Sequence, residues 1–235
     1  MPGLLNYLPG DRYQNLASEI DPNASWRDPK NVGVGRVIVS PFLNPPGPGA
    51  KTTVSVRGAE EPLAVTDFVG MAGVGPDAPY YDKSDRRAGI FGYYRQTRLE
   101  DIKDGAENTI LMIQSDSSVT GPWIAGGGST VRGTSENGDR DVGAPGGFTS
   151  PSYKGKPGVW VIMADGSARY LTKDISPAVF RALCTINGGD DSGEIELLAP
   201  KQKLEVTPLT PNQVQGTPKQ PTGPSRSKST IKDDD

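Results

Sequence analysis

Residues 159–171 read Val-Trp-Val-Ile-Met-Ala-Asp-Gly-Ser-Ala-Arg-Tyr-Leu: an apolar run, an Asp-Gly, and an alternating run. Two β-type segments joined by Asp-Gly form a strong local hairpin signal, because Gly enters positive φ without a Cβ clash and Asp tolerates that region better than most residues. The spacing therefore predicts a hairpin with Asp165 and Gly166 as its structural turn. The first arm is apolar on both faces as far as Ala164, which predicts a central strand covered on both sides. Ala168 and Tyr170 suit a half-exposed partner strand. Replacing Gly166 with Ala should then strain the turn.

The rest of the chain supplies short elements between long connections. Tyr13, Leu16 and Ile20 recur at helical spacing and predict an amphipathic helix around 11–20. Residues 24–31 read as an ordered loop whose Trp26 docks on the core. The apolar run 36–43 stops at the Pro- and Gly-rich stretch 44–49, which cannot continue a ladder. Strands are expected at 52–56, at 63–69 and at 109–115, with a long loop from 71 to 89. Residues 117–158 read as an excursion rich in Gly, Ser, Thr, Asn and Asp, with short strands at most. Ser176-Pro177 opens a short helix to about Cys184, and 194–198 is expected to add an edge strand.

With 30 Gly and 22 Pro in 235 residues, the chain favours short strands and loops over helices. The expected fold class is α+β: a single domain over 1–199 with a mainly antiparallel sheet, long Gly/Pro-rich loops and a few short helices. Residues 200–235, rich in Pro, Lys, Ser and Thr, are too poor in large apolar groups to offset the entropy of ordering, so a disordered tail is expected there. No run approaches the about 18 apolar residues of a spanning helix, and the first residues lack a signal peptide's basic start and apolar centre. No membrane span and no targeting segment are therefore expected in these residues.

The chemistry available is narrow. The chain has no histidine, which removes Ser-His-Asp and Cys-His nucleophiles, histidine metal sites and the commonest general base together. Cys184, the sole cysteine, sits in an apolar helical context that fits a buried inert thiol. Gly47-Pro48-Gly49-Ala50-Lys51-Thr52 echoes a phosphate loop but has Ala50 where a Gly must precede the Lys. A net charge of −3 gives no basic field, so no nucleic-acid partner is expected. Carboxylates are plentiful, and nothing singles out a pair of the kind a glycosidase uses. Two acidic loops, with Asp139 and Asp141 in one and Asp190, Asp191 and Glu194 in the other, could wrap a hard cation such as Ca2+, though neither has the ~12-residue EF-hand spacing. Trp123, Tyr80, Tyr81, Tyr93 and Tyr94 are the aromatic residues placed in loops where they could stack on a ligand.

Several segments, in order, resemble one family. Residues 24–31 (ASWRDPKN) resemble a Trp-x-Asp-Pro-x-Asn segment, 65–73 (VTDFVGMAG) a strand before a Gly-rich loop, and 89–92 (GIFG) a short signature. Residues 98–115 (RLEDIKDGAENTILMIQS) are similar to an Arg-x-x-Asp-Ile-x-Asp-Gly-x-Ser-Asn-Thr-Ile motif. Residues 159–171 with 182–189 resemble a closing Phe-Ala-Asp-Gly-Ser-x-Arg-Phe hairpin and its Gly-Gly end. The family so resembled is domain of unknown function 1559, pilin-like proteins abundant in planctomycete bacteria. The resemblance implies a pilin-like β-rich head and a non-catalytic structural or adhesive part in the cell envelope or a surface fibre. It also implies an extracytoplasmic location, and other pilin-like subunits or cell-surface components as partners. The alternative expectation is a carbohydrate- or calcium-binding extracytoplasmic module. Members carry an N-terminal methylation segment and a long hydrophobic helix, which these residues lack. They also carry a histidine upstream of the closing Asp-Gly where this chain has Gly155 and Lys156, and a Cys-Pro where it has Asn44-Pro45.

Overall fold

The computed structural model describes residues 2–44, 50–136, 141–144, 146–189, 193 and 195–203. The expected tail therefore lies almost wholly outside the described residues. The described chain begins with a 3-10 segment, Pro2–Tyr7, and helix α1, Asp11–Ser18, whose Tyr13 and Leu16 are buried as their spacing predicts. Helix α2, Pro29–Gly35, stands where a loop was expected. Asp28 accepts a hydrogen bond from Lys30 N–H, and Pro29 occupies the first turn, where its missing N–H costs nothing. The apolar run before the Pro-rich stretch forms no strand; it ends in a 3-10 turn, Ser40–Phe42.

Nine strands follow among the described residues: β1 Thr53–Val54, β2 Leu63–Thr66, β3 Phe68–Val74, β4 Ile110–Gln114, β5 Gly121–Pro122, β6 Val131–Thr134, β7 Ser150–Tyr153, β8 Lys156–Met163 and β9 Ala168–Thr172. Helix α3, Pro177–Leu183, and a single turn α4, Ile195–Leu198, come last, and short 3-10 turns lie in the connections. The expected strand at 63–69 is two strands in two sheets. β2 lies in a three-stranded antiparallel sheet, β1-β2-β5, whereas β3 joins a six-stranded sheet that also holds β4, β6, β7, β8 and β9. The chain passes between them at Asp67, whose N–H donates to Phe42 O (2.8 Å) and whose carbonyl accepts from Ser115 N–H (2.7 Å). β3 runs on to Val74, so the loop expected from 71 begins later.

In the large sheet β3 pairs antiparallel with β4 and β4 with β8, while β3 and β6 run parallel. β8 is the spine, as its apolar composition predicts. β9 takes one edge over Gly158 to Ile162; on the other edge β7 pairs at Gly158 and β4 farther along, from Val161. The architecture is α+β with mainly antiparallel pairing, matching the class read from the sequence.

Two apolar clusters hold these layers. One gathers Val159, Val161 and Met163 of β8, Ile110 and Ile113 of β4, Val69 and Met71 of β3, and Phe180 and Leu183 of α3. The other packs Leu5, Tyr13, Leu16 and Val34 from the N-terminal helices against Phe42, Ala64 and Trp123. Trp26 packs at its margin, as expected for a docked loop aromatic. The opposite face of β8 carries Trp160, which meets Tyr170 at 5.2 Å and Tyr153 at 4.8 Å between ring centroids. Tyr170 is buried, contrary to the half-exposed position expected of it. The two rings cover it, and its hydroxyl donates to Lys156 O (2.9 Å), so both its apolar body and its polar tip are satisfied inside.

The segment 195–198 is helical, where an edge strand was expected. Arg169 on β9 is fully buried; it donates to Ala199 O (2.7 Å) and pairs with Glu196 (2.5 Å). Those two partners lie three residues apart, and a helical turn brings them to one guanidinium while Ile195 enters the large cluster. The free edge of β9 is then met by Gln202, which bridges to Ala168.

Candidate functional site

The closing turn is built as a hairpin, with one difference from its expected form. Gly166 N–H donates to Met163 O (2.9 Å) and Met163 N–H to Ser167 O (2.8 Å), so Ala164 and Asp165 are the central residues and Gly166 follows them. Gly166 takes the positive φ, 81°, and Asp165 does not. The Asp165 carboxylate accepts from the Ser167 amide (2.8 Å) and hydroxyl (2.6 Å) and pairs with Lys201 (2.9 Å). Burial acts to raise its pKa, but the Ser167 bonds and Lys201 outweigh it and hold the carboxyl at about 2.

The carboxylates of the 98–105 motif are also engaged by the chain itself. Asp101 accepts from Arg98 N–H (2.9 Å) and pairs with Lys83 (2.7 Å). Asp104 accepts from Gly188 N–H (2.8 Å), Gly189 N–H (3.0 Å) and the Thr185 hydroxyl (3.2 Å). Arg86 grips the same corner by donating to Gly188 O (2.9 Å). Two distant signatures, the Asp-Gly of residues 104–105 and the Gly-Gly of 188–189, are therefore parts of one clamp.

Above the end of β3 the chain folds the expected long loop, which begins after Val74 rather than at 71. Gly73, at φ 115°, lets the returning segment come so close that a Cβ there would lie 2.0 Å from Arg87 O. Ala72 O accepts from Gly89 N–H (2.7 Å) and Met71 O from Phe91 N–H (2.9 Å). Arg95 then ties the loop together. Its Nε donates to Gly89 O (3.1 Å), Nη1 to Ala78 O (2.9 Å) and Tyr81 O (2.8 Å), and Nη2 to Ala72 O (2.7 Å) and Phe91 O. All five donors of the guanidinium fork are used on main-chain carbonyls. Burial acts to lower the pKa of this cation, and Asp82 and Asp85 nearby oppose that.

The loop so braced displays three of the aromatic candidates together. Tyr80 and Tyr93 meet edge to face at 4.9 Å, and Tyr94 lies 6.2 Å from Tyr80. Tyr80 is 60% exposed and Tyr94 86%. Burial pushes the Tyr93 hydroxyl up from its ordinary pKa, and Tyr80 adds to the effect. Tyr81 turns aside beneath the guanidinium of Arg87, 4.4 Å from its ring centre. Trp123 lies elsewhere, fully buried in the N-terminal cluster with its indole N–H on Val37 O (2.9 Å), so it offers no face to a ligand.

Of the cation candidates, Asp141 accepts from the Thr134 hydroxyl (2.9 Å). Asp139, Asp190, Asp191 and Glu194 lie outside the described residues. Among the described residues no group of three or more His, Cys, Asp or Glu side chains converges, and no helix is long and apolar enough to cross a membrane. Cys184 is fully buried, its thiol donating to Phe180 O (3.2 Å) and pushed well above its ordinary pKa by burial. Residues 94–95 carried no signal for the brace, because Arg95's partners are carbonyls scattered from 72 to 91.

Fold and site together define a β-rich α+β module whose motif acids brace its own main chain. The family model for a protein of unknown function (DUF1559) matches residues 6–178, and the chain belongs to that family. No curated protein and no solved structure matches it.

Proposed function

We propose that the protein is a non-catalytic, pilin-like structural or adhesive component of the cell envelope or of a surface fibre. The observation that carries this reading is the use of the signature acids. Asp101, Asp104 and Asp165 each hold main-chain amides, which is the work of a scaffold rather than of acid-base chemistry. The location and the pilin-like subunits as partners come from the family resemblance. The adhesive part of the reading rests on Tyr80, Tyr93 and Tyr94, rigid aromatic area held out on a braced loop.

The same tyrosines favour a second reading, a carbohydrate-binding module, since exposed rings stack on the apolar faces of sugars. Two measurements separate the alternatives. Fractionation of the source cells should place the protein with the envelope or with sedimentable fibres; recovery in the cytosol alone would overturn the structural reading. Affinity electrophoresis through envelope polysaccharide should retard the wild type and not a Tyr80→Ala/Tyr94→Ala variant if the face binds glycans. Equal mobility with and without polysaccharide removes the second reading.

A further inference from the structure

At the joint between the two sheets lies a carboxylate without a counter-charge. Asp67 is 5% exposed and forms no ion pair with any described cation. Its carboxylate accepts one hydrogen bond, from Asn44 N–H (2.7 Å), and burial acts to raise its pKa. Leaving a charge buried and uncompensated is costly, so the surroundings decide what the group does.

The two residues that donate main-chain bonds to Asp67, Asn44 and Ser115, each carry a buried side-chain oxygen without a partner. The register Phe68↔Gln114 and Val69↔Ile113, extended by the Ser115 N–H bond to Asp67 O, sets Ser115 opposite Asp67. Directly opposed residues point to the same face with Cβ atoms about 5 Å apart. Ser115 is fully buried and its Oγ has no partner; Asn44 Oδ1 is likewise buried without one. Gln114 pairs with Phe68 and so faces the other side.

We propose that Asp67, Asn44 Oδ1 and Ser115 Oγ form a seat for a hard cation of the calcium class that fastens the two sheets together. The donor set is one carboxylate, one amide oxygen and one hydroxyl, all hard ligands, and the carboxylate repels an anion. A cation supplies the missing charge and gives partners to both orphan oxygens at once, whereas a water satisfies the oxygens and leaves the charge. Three protein oxygens leave the remaining ligands to solvent, which places the affinity in the weak range of extracellular modules, about 10⁻⁴–10⁻³ M.

The test uses the full chain, freed of metal by a chelator and then dialysed. Thermal unfolding is followed while CaCl2 is raised from about 0.1 to about 10 mM, the range that brackets weak calcium sites. The wild type should gain melting temperature with a midpoint near the millimolar range, and Asp67→Asn should not respond. Ser115→Ala removes a hydroxyl that has no hydrogen bond to lose, so it should fold normally and shift the midpoint several-fold higher. A wild type blind to calcium that is stabilised only by acidification holds Asp67 as a neutral acid, and the proposal fails. An equal calcium response in Asp67→Asn places the ion elsewhere, and it fails then too.

Discussion

At the scale of single residues, Asp165 is the group whose charge the fold uses most openly. Its pKa, about 2, lies below the ordinary aspartate value of about 3.9, so the ionised form is favoured in the folded state. The stability it contributes is therefore complete above about pH 4 and is lost as pH falls through about 2. The turn is exposed, so screening limits the contribution to about 1 kcal/mol. Asp165→Asn should accordingly melt below the wild type at neutral pH, and the gap should close between about pH 4 and pH 2. A gap that stays constant across an acid titration of melting temperature would remove the charge argument. Gly166 belongs to the same turn for a different reason. A Cβ there meets nothing within 4 Å, so an Ala would be penalised by its positive φ alone.

At the scale of elements, the loop that displays the tyrosines depends on one side chain. Arg95 joins carbonyls of residues 72, 78, 81, 89 and 91, and without it those oxygens need water or each other. Arg95→Met should cost on the order of 3 kcal/mol, the loss of several charge-assisted bonds offset in part by hydration of a half-buried site. Arg95→Lys should recover less than half, because an ammonium cannot reproduce the planar fork. Denaturant midpoints give the energies, and faster amide hydrogen exchange at Gly89 and Phe91 in both variants locates the damage. Unchanged exchange at those two amides would mean the loop is held by other contacts. This element also marks the limit of reading the sequence. The hairpin, α1, β4 and α3 were legible because their periodicity and turn residues act locally. The Asp28-Pro29 start of α2 is equally local, a cap followed by proline, although the composition of 24–31 reads as a loop. Arg95 and the helical turn at Ile195 were not legible at all, since their partners are main-chain atoms of other segments.

At the scale of the whole molecule, the question is whether two clusters make one folding unit or two. A single residue, Asp67, separates β2 of the small sheet from β3 of the large one, and its N–H and carbonyl bond to Phe42 and Ser115. A connection of one residue, held by main-chain bonds on both sides, couples the two sheets. Val65-Thr66-Asp67-Phe68 reads as one continuous strand, since nothing in it signals a change of sheet. Trp123 tests the coupling, as it fills the N-terminal cluster, which contains no residue of β8, with its ring centroid 6.1 Å from that of Phe42 and its indole N–H donating to Val37 O. Trp123→Ala should cost about 3–5 kcal/mol through the cavity and the orphaned carbonyl. If the sheets are coupled as the Asp67 joint requires, that loss lowers a single calorimetric transition, and the environments of Trp26 and Trp160 change together with it. Two resolved transitions in the variant, with the Trp160 signal keeping the wild-type midpoint, would mean that the large sheet stands without the N-terminal cluster.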